Sequence, residues 1–184
     1  MKLQKLWWWL RLQFRKPFFA QVGRSSYLAS SISLVGTKNI AIGNRVRIFP
    51  GNRMETHDGG RITIGDNCSI GQNFHITSMK DNLKIGANTT ILGNVFITNI
   101  DHEYQEIGKH ILEQPMVYRD TQIGENCFIG FGASIQAGTI LGKQCVVGTN
   151  SVVRGNYPDY SVIVGAPAKV VKIYNPETQI WERV

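Results

Sequence analysis

Carboxylates are scarce in this chain. Its 184 residues hold 13 acidic side chains against 20 basic ones, a formal net charge of +7. The first 27 residues contain no Asp or Glu, while Lys2, Lys5, Arg11, Arg15, Lys16 and Arg24 fall among them. Such a balance favours anionic partners: phosphates, acidic membranes or nucleic acid. No nucleic-acid recognition motif accompanies the charge, so no nucleic-acid partner is expected. Cysteine is also rare. Three thiols cannot all pair within one chain, which argues against a disulfide scaffold and for a reduced, cytoplasmic protein. No apolar run is long enough to span a bilayer. The opening MKLQKLWWWLRLQFRKPFF is apolar and basic, but Arg11, Arg15 and Lys16 interrupt it and no small-residue cleavage site closes it, so it does not read as a signal peptide. Leu3, Leu6, Trp7, Leu10 and Phe14 recur at helical spacing, and Pro17 ends the pattern.

What the chain does have is a repeat. From Ile123 an aliphatic residue returns at every sixth position: Ile123, Ile129, Ile135, Leu141, Val147, Val153. The same six-residue word occurs earlier as LASSIS, IGNRVR, IGDNCS, IGQNFH, IGANTT and ILGNVF. Period six is neither helical nor alternating. Three words make one triangular coil with three short strands, each aliphatic residue pointing inward and stacking on the coils above and below, with parallel neighbours ~4.8 Å apart. Slot two of the word is commonly Gly, as at Gly65, Gly86, Gly124, Gly130 and Gly148. Slot four is commonly Asn or Gly, from Gly51 and Asn67 to Asn150 and Asn156. Both slots are read as corners needing unusual backbone angles. Slot five is small, and Cys68, Cys127 and Cys145 all occupy it, so the thiols are expected to fill a corner rather than to hold metal or act as nucleophiles.

The rhythm breaks at three places. Coil starts should lie 18 residues apart, yet Ile42 to Ile64 is 22 and Ile64 to Ile85 is 21. These excesses are small corner bulges around HDGGR and MKDN. Ile85 to Ile123 is 38, an excess of 20, so one large loop is expelled over 99–122. Long excursions from a rigid scaffold commonly carry function. This one opens with NIDHEY and contains Asp101, His102, Glu103, Tyr104, His110, Arg119 and Asp120.

The repeat words, together with the GAPAKVVKIY ending, resemble the hexapeptide-repeat acyltransferase superfamily, and among its branches the bacterial surface-polysaccharide and sugar O-acetyltransferases. The resemblance covers roughly residues 28–172. It implies an all-β fold, a left-handed parallel β-helix with a short N-terminal α-helix and one expelled catalytic loop; handedness follows from the resemblance alone. The division is then 1–27 (amphipathic helix and linker), 28–172 (acyltransferase domain) and 173–184 (C-terminal tail).

In that family the catalytic histidine sits where the chain leaves the coil for the extended loop, and His102 matches it. A sugar hydroxyl must lose its proton as it attacks, and neutral imidazole suits the task. Asp101 or Glu103 is the candidate for orienting the ring. His75, Asn99 and Tyr104 are candidate acceptor contacts. For the donor, acetyl-CoA, the resemblance points to Phe128 beside the pantetheine arm, Gly130 and Thr149 along it, and Arg154, Lys169 and Lys172 near the phosphates. It also implies a homotrimer with the donor between subunits, and no metal.

Alternatives remain. The maltose and galactoside acetyltransferases carry a different histidine-rich loop. A serine acetyltransferase would carry a helical domain upstream, for which 27 residues leave no room. A γ-class carbonic anhydrase needs three zinc histidines, two closely spaced, whereas His102 and His110 are 8 apart and His75 lies 27 before His102. A non-enzymatic solenoid would not need the histidine loop. The first helix either covers the open end of the β-helix or, over residues 1–19, touches a membrane carrying a lipid-linked acceptor.

Overall fold

The computed structural model describes residues 3–184; Met1 and Lys2, part of the expected N-terminal segment, lie outside the described residues. The chain winds as a left-handed parallel β-helix of about six turns behind one short helix. Its first wall stacks Gln21–Val22, Ile40–Ile42, Arg61–Ile64, Asn82–Ile85, Gln122–Ile123 and the end of Ser134–Leu141. The second stacks Tyr27–Leu28, Arg47–Ile48, Ser69–Ile70, Thr90–Ile91, Phe128–Ile129, Val146–Val147 and Ser161–Gly165. The third stacks Ser31–Val35, Asn52–His57, His75–Met79, Phe96–Thr98 and the start of Ser134–Leu141.

Registers follow the repeat. Val22, Ile42, Ile64, Ile85, Ile123 and Leu141 pair in turn up the first wall, and all are buried. Each such aliphatic side chain contributes ~1.5–3 kcal/mol by leaving water. The ladder stays in step across the longest break because Ile85 pairs directly with Ile123, whatever the intervening residues do.

The two corner slots turn out to have different reasons. Slot four carries the left-handed backbone: Asn67, Asn88, Asn94, Asn126 and Asn150 all have φ between 54° and 59°. Asn156 is the exception; there Gly155 takes the positive φ, at 113°. Slot-two glycines do not take positive φ. Their constraint is close approach between coils: a Cβ on Gly65 would stand 2.6 Å from the amide nitrogen of Ala87 in the next coil. Slot five also does more than fill space. Ser26, Cys68, Thr89 and Cys127 each donate a side-chain hydrogen bond to the carbonyl of the slot-two glycine one coil on (Gly43, Gly86, Gly124, Gly142), at 2.7 to 3.2 Å. The three cysteines are buried free thiols.

Helix α1 (Leu3–Arg15) closes the start of the coil stack. Leu12 joins the main core, and Trp8 packs on Tyr27 and Phe49 with ring centroids 5.8 and 6.3 Å apart. The other end is covered by antiparallel strands Ala168–Asn175 and Ile180–Arg183, added to the second wall. No helix of the described residues is long and apolar enough to cross a membrane.

Candidate active site

The expelled segment is ordered. Ile100–His102 and Met116–Tyr118 form an antiparallel hairpin, with His102 opposite Met116 and Asp101 opposite Val117. Alternation along a strand sends neighbouring side chains to opposite faces, and this separates His102 from Asp101. His102 shares its face with Ile100 and Met116 and looks along the third wall, over a groove of about 380 Å³. Asp101 looks the other way. Its Oδ2 accepts from Arg154 Nη2 at 2.9 Å and lies 3.7 Å from Arg119 Nε; its Oδ1 accepts from the backbone amide of His102 at 3.1 Å. The expected bond from Asp101 to the imidazole is not formed. The carboxylate instead ties the hairpin root to two arginines.

The groove is built by coil stacking. Arg53, His75 and Phe96 occupy one row of the third wall, and Glu55, Thr77 and Thr98 the next. Arg53 grips Glu55 with two parallel bonds at 2.8 and 2.9 Å, and Ser33 Oγ donates to the same carboxylate at 2.6 Å. The Arg53 hydrogen bonds hold the Glu55 carboxyl down to about 2, against the opposing effect of burial. His75 stacks edge-on against Phe96 at 5.0 Å. Its pKa is lowered, first by burial and then by the Arg53 charge, so the ring is neutral near pH 7. The groove thus offers an ionised carboxylate, neutral imidazole and two hydroxyls beside the apolar Phe96, Ile100 and Met116. That mixture of hydrogen-bonding groups and flat apolar surface suits a polyhydroxylated ligand.

A pH dependence follows. The folded Glu55 carboxyl titrates below its ordinary value of 4.5, so it contributes stability above that value and the contribution is lost as pH falls toward 2. Urea titrations at pH 6 and pH 3 should show the Glu55→Gln variant losing less stability between them than the parent does. An equal loss in both would remove Glu55 as an acid-labile element.

A family model described as bacterial transferase hexapeptide (six repeats) matches residues 120–155. WbbJ of Escherichia coli (strain K12), provisionally named as a lipopolysaccharide biosynthesis O-acetyl transferase, is 37% identical over an alignment of 143 positions that covers 72% of this chain and 71% of WbbJ. The chain belongs to the hexapeptide-repeat transferase family. A second relative of this hexapeptide-repeat transferase, from Mycobacterium tuberculosis (strain ATCC 25618 / H37Rv) and provisionally named as an acetyltransferase, is 33% identical over 92% of the chain. The chain spans 57% of that relative's length. Among solved structures, a variant of AntD, an N-acyltransferase from Bacillus cereus in complex with dTDP and coenzyme A, superposes with a TM-score of 0.78 at 18% identity, covering 91% of both chains. That likeness is one of fold.

The structure of the hexapeptide-repeat transferase sorts the remaining candidates. His75 shares the third-wall groove with His102. Tyr104 lines a smaller cleft of about 180 Å³ with Asp101, Glu103, Arg119 and Arg154, and His102 borders this cleft as well as the groove. Asn99 faces no ligand space: it is 1% exposed, and its side chain bonds the Met79 amide at 2.8 Å, the Met79 carbonyl at 3.1 Å and Ser78 Oγ at 3.2 Å. The acceptor contact expected of Asn99 gives way to pinning the loop root to the coil below. Arg154, expected at the donor phosphates, is bonded to Asp101 instead.

The other donor candidates lie on the second wall and its following corner. Gly130 sits directly under Thr149, a Cβ there meeting the Thr149 nitrogen at 2.6 Å. Phe128 pairs with Val146, Val146 with Val162 and Val162 with Lys172, so Phe128 and Lys172 share one row ~14 Å apart. None of Phe128, Gly130, Thr149, Lys169 and Lys172 lines either cleft beside His102.

Sequence reading missed Arg53, Glu55 and Thr98 as groove residues. A signal existed. Arg53 and Glu55 alternate along one strand, and aligning NRMETH with FHITSM in register brings them beside His75 and Thr77.

Proposed function

We propose that this hexapeptide-repeat transferase moves an acetyl group from acetyl-CoA to a sugar hydroxyl in bacterial surface-polysaccharide assembly. The observation that carries the proposal is the placement of His102 on the first strand of the expelled hairpin, over a groove of hydroxyls, imidazole and carboxylate. Kinship with WbbJ favours a polysaccharide acceptor over a free sugar or an amino acid. In this reading His102 takes the hydroxyl proton, and the oxygen attacks the thioester carbon. Backbone amides receive the developing oxyanion, and the carbon–sulfur bond breaks. The thiolate takes back the proton from the imidazolium. No covalent acyl-enzyme and no metal are required.

The chain functions as a homotrimer in this proposal. Its support is the separation just described. The His102 groove lies on the third wall and the donor row on the second, so a neighbouring subunit is needed to bring them together. Phe128 is exposed and flanks the pantetheine arm, Gly130 and Thr149 present backbone to it, and Lys169 and Lys172 meet the phosphates.

A thiol-release assay with acetyl-CoA and a carbohydrate acceptor panel tests the activity. Transfer to serine or to amines but to no carbohydrate would reject the acceptor class. For the donor, changing Lys169→Glu and Lys172→Glu together should raise KM for acetyl-CoA on the order of tenfold, the scale of lost charge-assisted bonds. Equal affinity of the parent protein for CoA and dephospho-CoA would count against a phosphate role.

A further inference from the structure

Helix α1 is apolar on two opposite sides. Trp8 and Leu12 face the coils. Leu3, Trp7, Leu10 and Phe14, at intervals of four, three and four, form a second row on the far side. Leu3, Trp7 and Phe14 are 86%, 63% and 81% exposed, and Phe18 continues the row just past the helix at 62%. Capping accounts for the first row and leaves the second without a partner.

The spacing of that second row also suits a coiled-coil seam with another copy of the chain. Charge argues against it. The first acidic residue of the chain is Glu55. Arg15, Lys16, Arg24 and Arg45 are all exposed around the helix and the first coils. Two copies meeting along the row would bring cations together with no carboxylate between them, and two heptads are short for a stable seam.

A lipid surface answers both features. Beside the helix runs a cleft of about 510 Å³ lined by Leu6, Trp9 and Tyr27 together with Gln13, Ser25 and the cations Lys16 and Arg24. Arg24 also borders the neighbouring cleft with Arg45. Apolar side chains and exposed cations side by side match acyl chains and an anionic headgroup. The 13 residues of α1 rise ~20 Å, well short of the ~30 Å hydrocarbon core. We infer that α1 docks the protein on anionic bilayers, lying in the plane of the interface. Leu3, Trp7, Leu10 and Phe14 enter the acyl boundary, and Arg15, Lys16, Arg24 and Arg45 sit among the headgroups. This inference stands independently of the acyl-transfer reading.

Deleting the helix would not test it, because that removes Leu12 and Trp8 and uncovers the core end, Tyr27 and Phe49 on which they pack. Point variants of the full chain do. In sedimentation with vesicles, the parent should partition at least about tenfold more strongly to phosphatidylglycerol–phosphatidylcholine mixtures than to phosphatidylcholine alone. Leu3→Ser, Trp7→Ser and Phe14→Ser combined should lower binding at least about tenfold with an unchanged melting temperature. Arg15→Glu, Lys16→Glu and Arg24→Glu combined should abolish the preference for anionic lipid. Equal or absent binding of the parent to both vesicle types overturns the inference. So does a fall in the mass of the serine variant by light scattering, with no vesicle binding by the parent, which would make the row an interface between copies.

Discussion

His102→Ala leaves a protein that folds and assembles as before but transfers acyl groups at least about 10²-fold more slowly, the typical contribution of a general base. The expectation of normal folding is structural. His102 is exposed at the end of a two-stranded hairpin, and no core contact depends on its ring. The expectation of slow turnover is chemical: an alcohol is a weak nucleophile near neutral pH, and the proton must leave as the carbon–oxygen bond forms. Asp101→Asn should cost less than His102→Ala. The Asp101 carboxylate reaches the backbone amide of His102 and the side chain of Arg154, so its influence runs through the hairpin's position. Near-normal turnover of His102→Ala would sink the assignment. A loss in Asp101→Asn as large as that in His102→Ala would show that hairpin placement dominates the chemistry.

Leu12→Ala should destabilise the protein by roughly 2–5 kcal/mol, the usual range for a buried leucine that leaves a cavity. In a chain of this size that corresponds to on the order of 5–15 °C in melting temperature. Coils of a solenoid are held mainly by their neighbours, and the terminal coil has a neighbour on one side only. Helix α1 stands in for the missing coil, placing Leu12 against the main core and Trp8 over Tyr27 and Phe49. Phe14→Ala, on the uncovered side of the same helix, should move stability by no more than about 0.5 kcal/mol. Calorimetry on the two variants separates the faces. If both changes are equally mild, the helix is not part of the folding unit, and its apolar content belongs entirely to whatever it docks on.

Much of the architecture was legible in the residues because the information is local and repeated. Every aliphatic residue of the six-residue word faces the same environment, so one reading covers Ile42, Ile64, Ile85, Ile123 and Leu141 alike. The excess between Ile85 and Ile123 marked the excursion by arithmetic alone, and with it the neighbourhood of His102. Residue type was a poorer guide to physical cause. Slot-two glycines and slot-four asparagines read as equivalent corner residues, yet only slot four uses positive φ. The constraint on slot two comes from the coil above, which a single word does not contain.

What the sequence by itself determined is the three-sided coil, the inward ladder and the position of the break, since these depend on a period and on counting. The tertiary structure decided the site. Asp101 and Arg154 are 53 residues apart and meet only because the hairpin folds back over a coil two turns later. Arg53, Glu55 and His75 share a groove because coils of unequal length still stack in register. Asn99 is spent on the backbone of Met79 for the same reason. The direction in which adjacent residues point was likewise left to pairing: once Ile100–His102 joins Met116–Tyr118, strand alternation turns His102 toward the groove and Asp101 away from it.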